Sequence, residues 1–287
     1  MPTININGSR LTFGATGAGS TVVALHSSAS NGGQWKSLSH HLAGHHCVFS
    51  PDLAGYGGSE AWPTKDARLS NEADFVFGMI EAWEEPVHLV GHSFGGAVAV
   101  QIALQYPEWV HSLTLIEPTI FHLLRDGDAA DRRLHAIVQS VSGIVSAAAA
   151  QDDPRGGMAH FVDFWNGDGA WARTSPRLKA HLAQQIGQVI NNFAAGNAED
   201  WPLGDCSKLR CPTMAMIGTD SPLPSQRVTE MLAETIPGAR LHMIPGAGHM
   251  LPLTDPHIVD PLISGHIKTV DRWHRQQPCA GPLMRAA

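Results

Sequence analysis

Apolar and polar positions repeat along this chain with two periods, one of about two residues and one of about three and a half. Ile4-Asn5-Ile6 and Leu11-Thr12-Phe13 alternate around Asn7-Gly8, which predicts a β-hairpin. A glycine-rich link over residues 14–19 leads to Thr21-Val22-Val23-Ala24-Leu25, an unbroken apolar run of the kind buried on both faces of a sheet. Helix is predicted up to about Leu42, stopping near Gly44. The strand Cys47-Val48-Phe49 follows and ends in the turn-rich stretch Pro51-Asp52-Leu53-Ala54-Gly55-Tyr56-Gly57-Gly58-Ser59. Ser70 or Asn71 is placed to cap a helix that carries Phe75, Met79 and Trp83 on one face. Val87-His88-Leu89-Val90 is a second buried run. It passes through Gly91-His92-Ser93-Phe94-Gly95 into an apolar helical pattern over 97–106, before the strand Leu113-Thr114-Leu115-Ile116.

From 118 to 205 the strand signal disappears. Helical patterns over 131–150, 158–165 and 176–193 alternate with breaks containing Gly, Asp and Asn. Thr213-Met214-Ala215-Met216-Ile217 restores the buried strand. A helix over 225–235, a strand over 240–244, the loop Gly246-Ala247-Gly248-His249 and a helix over 256–273 complete the pattern. Strands alternating with helices predict an α/β fold with a mostly parallel central sheet covered on both faces. The helical interruption reads as an inserted cap. The expected organisation is a core of 1–117 and 206–276, a cap of 118–205 and a tail of 277–287.

Composition narrows the setting. The 287 residues are 43% hydrophobic with a net charge of −7 and no clustered basic stretch, which argues against nucleic acid as a partner. No apolar run approaches the roughly 18 residues of a membrane span, and no signal peptide is evident at Met1-Pro2-Thr3-Ile4-Asn5. The four cysteines (Cys47, Cys206, Cys211 and Cys279) are irregularly spaced and do not form a disulfide framework, so a reduced cytoplasmic protein is expected. His40, His41, His45, His46 and Cys47 span a helix end and a strand start and face several directions, so no metal site is expected there. The glycines of 14–19 lack the Lys-Ser/Thr of a phosphate-binding loop.

The chemistry concentrates at Gly91-His92-Ser93-Phe94-Gly95, a G-x-S-x-G with a strand before it and a helix after it. A serine in such a turn stands clear of the strand end. Glycines on either side let strand and helix approach, and the helix N-terminus aims backbone N–H groups at the place where negative charge would develop. With the His26-Ser27-Ser28 turn, the 51–59 stretch and Gly246-Ala247-Gly248-His249, these motifs mean that the chain resembles the α/β-hydrolase fold superfamily over most of its length outside the cap and tail. It departs from that pattern at Ser27, where the family usually has Gly.

The resemblance implies a serine hydrolase with Ser93 as nucleophile and His249 as base. His92 is expected to pack beneath the turn instead of acting as the base. Two residues compete for the acid. Asp220 follows the 213–217 strand, where the superfamily most often places it, although Ser221 occupies the usual register. Glu117 ends the preceding strand, as in some members, and is favoured. The amides of Ser28 and Phe94 are the expected oxyanion donors. His26, Phe121 and Trp165 are expected at the substrate. The other aromatics of Phe161-Val162-Asp163-Phe164-Trp165 are assigned to the cap core, and His122, Leu123 and Leu124 to the pocket lining. No metal or organic cofactor is implied. Serine in place of aspartate as nucleophile argues against dehalogenase or epoxide hydrolase chemistry. The expected substrate is a small, fairly apolar carbonyl compound, an ester or lactone. One alternative is a carbon–carbon hydrolase of meta-cleavage type, with Arg125, Arg132, Arg133 and Arg173 as candidate dienone-reading cations. Another is a non-catalytic ligand receptor on the same fold.

Overall fold

The computed structural model describes residues 1–61 and 68–276. The expected tail (277–287) and Cys279 lie outside the described residues. The strands are β1 (Thr3–Ile6), β2 (Ser9–Gly17), β3 (Ser20–Leu25), β4 (His46–Pro51), β5 (Val87–His92), β6 (Val110–Ile116), β7 (Thr213–Gly218) and β8 (Arg240–Ile244). They form one sheet in the order β1-β2-β4-β3-β5-β6-β7-β8, antiparallel only at β1–β2 and β2–β4. The expected link over 14–19 is mostly strand. β2 runs on to Gly17 because Phe13 to Gly17 pair with Pro51 to Cys47, and backbone pairing outweighs the weak strand propensity of glycine.

The helices are α1 (Lys36–Leu42), α2 (Leu69–Glu81), α3 (Phe94–Gln105), α4 (His122–Arg125), α5 (Ala129–Ala150), α6 (Pro154–Asn166), α7 (Ala170–Arg173), α8 (Pro176–Gln184), α9 (Ile186–Ala198), α10 (Leu223–Thr235), α11 (Leu251–Thr254) and α12 (Pro256–Gln276). The alternation of side chains in β3 divides the core. Val22 and Ala24 face a cluster with Leu38 of α1 and Ile263 of α12, while Val23 and Leu25 face one with Val76 of α2 and Val98 of α3. Buried on both faces, β3 and β5 carry apolar side chains on both, and the two buried histidines of β5, His88 and His92, are hydrogen-bonded.

Helices α4 to α9 lie between β6 and β7 and carry no strand. The single helix expected over 176–193 is two, broken at Gln185, whose N–H bonds to Leu182 O as a C-cap. Neither Ser70 nor Asn71 caps α2. Arg68 is its N-cap residue, and the free Leu69 N–H donates to Glu199 Oε1 at 2.9 Å, so a carboxylate from the inserted segment satisfies a helix end in the core.

Candidate active site

Ser93 joins β5 to α3 with φ 55° and ψ −118°, a conformation disfavoured for a residue with a Cβ. Surrounding bonds hold it. Its N–H donates to Ile116 O at 2.9 Å, and its carbonyl accepts from Ala97 N–H and Thr119 N–H. A Cβ on Gly95 would run into the carbonyls of Leu25 and His26, and one on Gly91 into the backbone of Gly95 and Gly96, so these two positions admit only glycine. The turn projects the Ser93 hydroxyl toward His249, whose Nε2 lies 3.0 Å from Oγ.

His249 sits in the loop after β8, 2% exposed, with its Nδ1 2.6 Å from Glu117 Oε2. Glu117 is fully buried just beyond β6, itself at positive φ (45°). Its Oε1 accepts from Gly218 N–H at 2.7 Å and Ser221 Oγ–H at 2.5 Å, and Ser225 Oγ lies 3.0 Å from Oε2. Burial alone would raise its pKa. The bond and charge of His249, with the Ser221 and Gly218 donors, outweigh that and hold the carboxyl below its ordinary value.

The structure brings Ser93, His249 and Glu117 together and leaves Asp220 outside. Asp220 is exposed, and its contribution is a backbone N–H to Ala247 O at 2.9 Å, which braces the His249 loop. Ser221, in the neighbouring register, faces the site and donates to Glu117 instead of supplying a carboxylate.

Two buried histidines flank the site in fixed tautomers. His26 accepts from Leu53 N–H at Nε2 (2.9 Å), so its Nδ1–H donates to Ser27 O (2.7 Å); burial lowers its pKa to about 4. It therefore ties the Ser28 turn to the 51–59 loop and is absent from the cavity wall, contrary to its expected substrate role. His92 donates from Nε2 to His249 O at 2.8 Å and accepts at Nδ1 from Gln34 Nε2 at 3.0 Å. Burial, aided by the neighbouring His249, lowers its pKa to about 3. The Gln34 Oε1 atom in turn accepts from both Ser27 N–H and Ser27 Oγ–H. A directed chain thus runs from the Ser27-Ser28 turn to the His249 backbone. Nothing in the local pattern around Gln34 announces it.

Ser93 and His249 open onto a cavity of about 500 Å³, mouth included, walled by Ser28, Phe121, Phe161, Trp165, Val189 and Asn192 among others. Phe94 is the first residue of α3, so its N–H has no partner within the helix. Trp165 packs against the imidazole of His249, with ring centroids 4.3 Å apart and the planes tilted by 31°. Phe121 and Trp165 line the cavity. Phe161 joins them, whereas His122, Leu123 and Leu124 do not line it: His122 Nε2 bonds Trp201 O, and the leucines fill the core. Asn192 and Val189 escaped the sequence reading, because nothing in the pattern of α9 marks which face meets the cavity.

None of Arg125, Arg132, Arg133 and Arg173 lines the cavity. Arg125 pairs with Asp126, Arg132 bonds Gly127 O, Arg173 bonds Asp168 O, and Arg133 is exposed. Among the described residues no three His, Cys, Asp or Glu side chains are grouped to hold a metal ion. His46 instead meets Ser20 Oγ at 2.8 Å, and His88 meets Asp271 at 2.9 Å.

Residues 20–256 match the model of the alpha/beta hydrolase fold family. An uncharacterised protein of Mycobacterium tuberculosis is 33% identical over 112 residues, 39% of this chain and about a third (33%) of that protein's length. The pimeloyl-[acyl-carrier protein] methyl ester esterase of Chromobacterium violaceum is 26% identical over 81% of this chain and 88% of its own. The solved structure of a thermophilic esterase from Thermogutta terrifontis superimposes with a TM-score of 0.75, covering 94% of this chain and 99% of that one at 24% identity.

Proposed function

The chain belongs to the alpha/beta hydrolase fold family, and we propose that it is a serine hydrolase acting on a small, fairly apolar carboxylic ester or lactone. The observation that carries this reading is the unbroken hydrogen-bond chain from Ser93 Oγ through His249 to Glu117, opening onto an apolar cavity.

In this reaction Ser93 Oγ attacks the carbonyl carbon while its proton passes to His249 Nε2. Glu117 keeps the other imidazole proton on Nδ1 and stabilises the imidazolium, and its own donors keep it ionised to do so. The carbonyl oxygen becomes an oxyanion between the amides of Ser28 and Phe94; one such donor is typically worth about 10² to 10³ in turnover. The imidazolium then protonates the departing alkoxide. Water, deprotonated by His249, attacks the acyl–Ser93 ester, and collapse of the second oxyanion releases the acid and restores the serine. For a lactone the alkoxide stays tethered and the product is a hydroxy acid.

An ester or lactone fits the cavity better than the dienone of a carbon–carbon hydrolase, because the wall carries no cationic side chain. The proposed setting is the cytoplasm: Cys47, Cys206 and Cys211 are free thiols, and no described helix is long and apolar enough to cross a membrane. The test is release of 4-nitrophenol from 4-nitrophenyl acetate and butyrate. The wild type should turn both over and Ser93→Ala neither. Tight ligand binding without turnover by the wild type would favour the receptor reading.

A further inference from the structure

The cavity is apolar on most sides, but one polar group on its wall is oriented by the protein and used by none of the steps above. Asn192, on α9, is 7% exposed, and its Oδ1 accepts two hydroxyls: Ser28 Oγ at 2.9 Å and Tyr56 Oη at 2.5 Å. The Tyr56 bond has a fixed direction: the phenol oxygen accepts from the backbone N–H of Ala29 and lies within hydrogen-bond reach of the Ser28 hydroxyl, and burial keeps the phenol protonated, so its proton goes to Asn192 Oδ1. The Tyr56 donor sets Oδ1 on this side of the amide, and the NH₂ arm points the other way. Nδ2 has no acceptor among the described residues and is not one of the sealed, unpartnered polar atoms. It therefore opens on the cavity that Asn192 lines.

We infer that Asn192 Nδ2 forms a subsite for a second, uncharged oxygen of the substrate (carbonyl, ether or amide) close to the scissile carbonyl. Proximity follows from Ser28, whose hydroxyl grips Asn192 while its backbone N–H is the proposed oxyanion donor. The second oxygen therefore belongs one or two bonds beyond the reacting carbon. Neutrality follows from the wall, which has no Lys or Arg to replace the water around a carboxylate. Val189 and Phe193, at i−3 and i+1 on α9, supply apolar flanks for the remainder. A substrate without this oxygen expels water from the NH₂ group and returns no acceptor to it, which penalises that substrate.

The inference rests on the hydrolase reading, and its test separates the two. 4-Nitrophenyl methoxyacetate and butyrate have acyl groups of nearly the same shape, differing by an ether oxygen in place of a methylene. Asn192→Asp keeps Oδ1 for the two hydroxyls and removes the donor. The ratio of kcat/KM for the two esters, compared between wild type and variant at pH 8, cancels intrinsic ester reactivity, partial unfolding and any uniform effect of the new charge. The ratio should fall roughly tenfold in Asn192→Asp, the size of one neutral hydrogen bond. An unchanged ratio overturns the subsite while leaving the hydrolase intact. If the wild type hydrolyses neither ester, the hydrolase reading has failed. The subsite is then read by ligand-observed NMR on Ser93→Ala with methyl methoxyacetate and methyl butyrate. Tighter binding of the methoxyacetate that disappears in Ser93→Ala/Asn192→Asp supports it, and equal binding overturns it.

Discussion

Glu117 and His249 stand 132 positions apart in the chain, and their Oε2 and Nδ1 atoms lie 2.6 Å apart in the fold. The carboxylate comes from the end of β6, whereas Gly218 at the end of β7 and Ser221 just beyond it donate hydrogen bonds to the same carboxyl group. The two strand ends thus share the work of orienting His249, with β6 supplying the charge and β7 the hydrogen bonds that hold it.

Glu117→Gln should lower kcat by about 10² to 10⁴, as loss of the residue that fixes an imidazole tautomer does. Asp220→Asn should change it less than about twofold, because its side chain is exposed and only its backbone braces the His249 loop. Steady-state kinetics of the two variants on one ester decides this, and the reverse pattern would move the acid to Asp220.

Acid should destabilise the fold before ordinary carboxylates titrate. His26 and His92 have pKa values of about 4 and about 3 in the fold against 6.5 for an unperturbed imidazole. Since the folded values are the lower ones, the unfolded chain takes up protons first, and stability falls as pH drops from about 6.5 toward the folded values. Each group should remove roughly 2 kcal/mol between pH 6.5 and 5. Urea midpoints at pH 7 and pH 5 measure the effect, and equal midpoints would contradict it.

Trp165, 5% exposed, covers His249 and walls the cavity. Trp165→Ala should cost about 3 to 5 kcal/mol of stability if the site does not collapse. It should also shift the acyl-length optimum toward longer 4-nitrophenyl esters. An unaltered chain-length profile would place Trp165 outside the acyl path.

Glu199 joins the inserted helices to the start of α2 through Leu69 N–H. Glu199→Ala should lower stability by about 1 kcal/mol and speed hydrogen exchange at Leu69. If 118–205 forms a separate cap, as the sequence pattern predicts, limited proteolysis should nick its loops before the core, and sooner in this variant. Earlier cutting elsewhere would count against that division.

What the sequence made legible is what repeats or has a fixed local form. The apolar runs of β3, β5 and β7 need no partner to be recognised, and the turn at Ser93 is dictated by glycines within two residues of it. What escaped depends on distant neighbours. β2 extends through glycines because β4 pairs with it, and the first N–H of α2, at Leu69, is met by the Glu199 carboxylate 130 positions away. His26 was expected at the substrate, but its two nitrogens are taken by backbone from separate loops. Asn192 and Gln34 have ordinary surroundings in sequence, and only the fold sets them against Ser28 and His92.

The most direct test of the central claim is the intact mass of the protein after incubation with a fluorophosphonate, with Ser93→Ala treated alongside. An activated Ser93 predicts one covalent adduct on the wild type and none on the variant. An unmodified wild type that is folded and monodisperse, or an adduct that persists in Ser93→Ala, would contradict it.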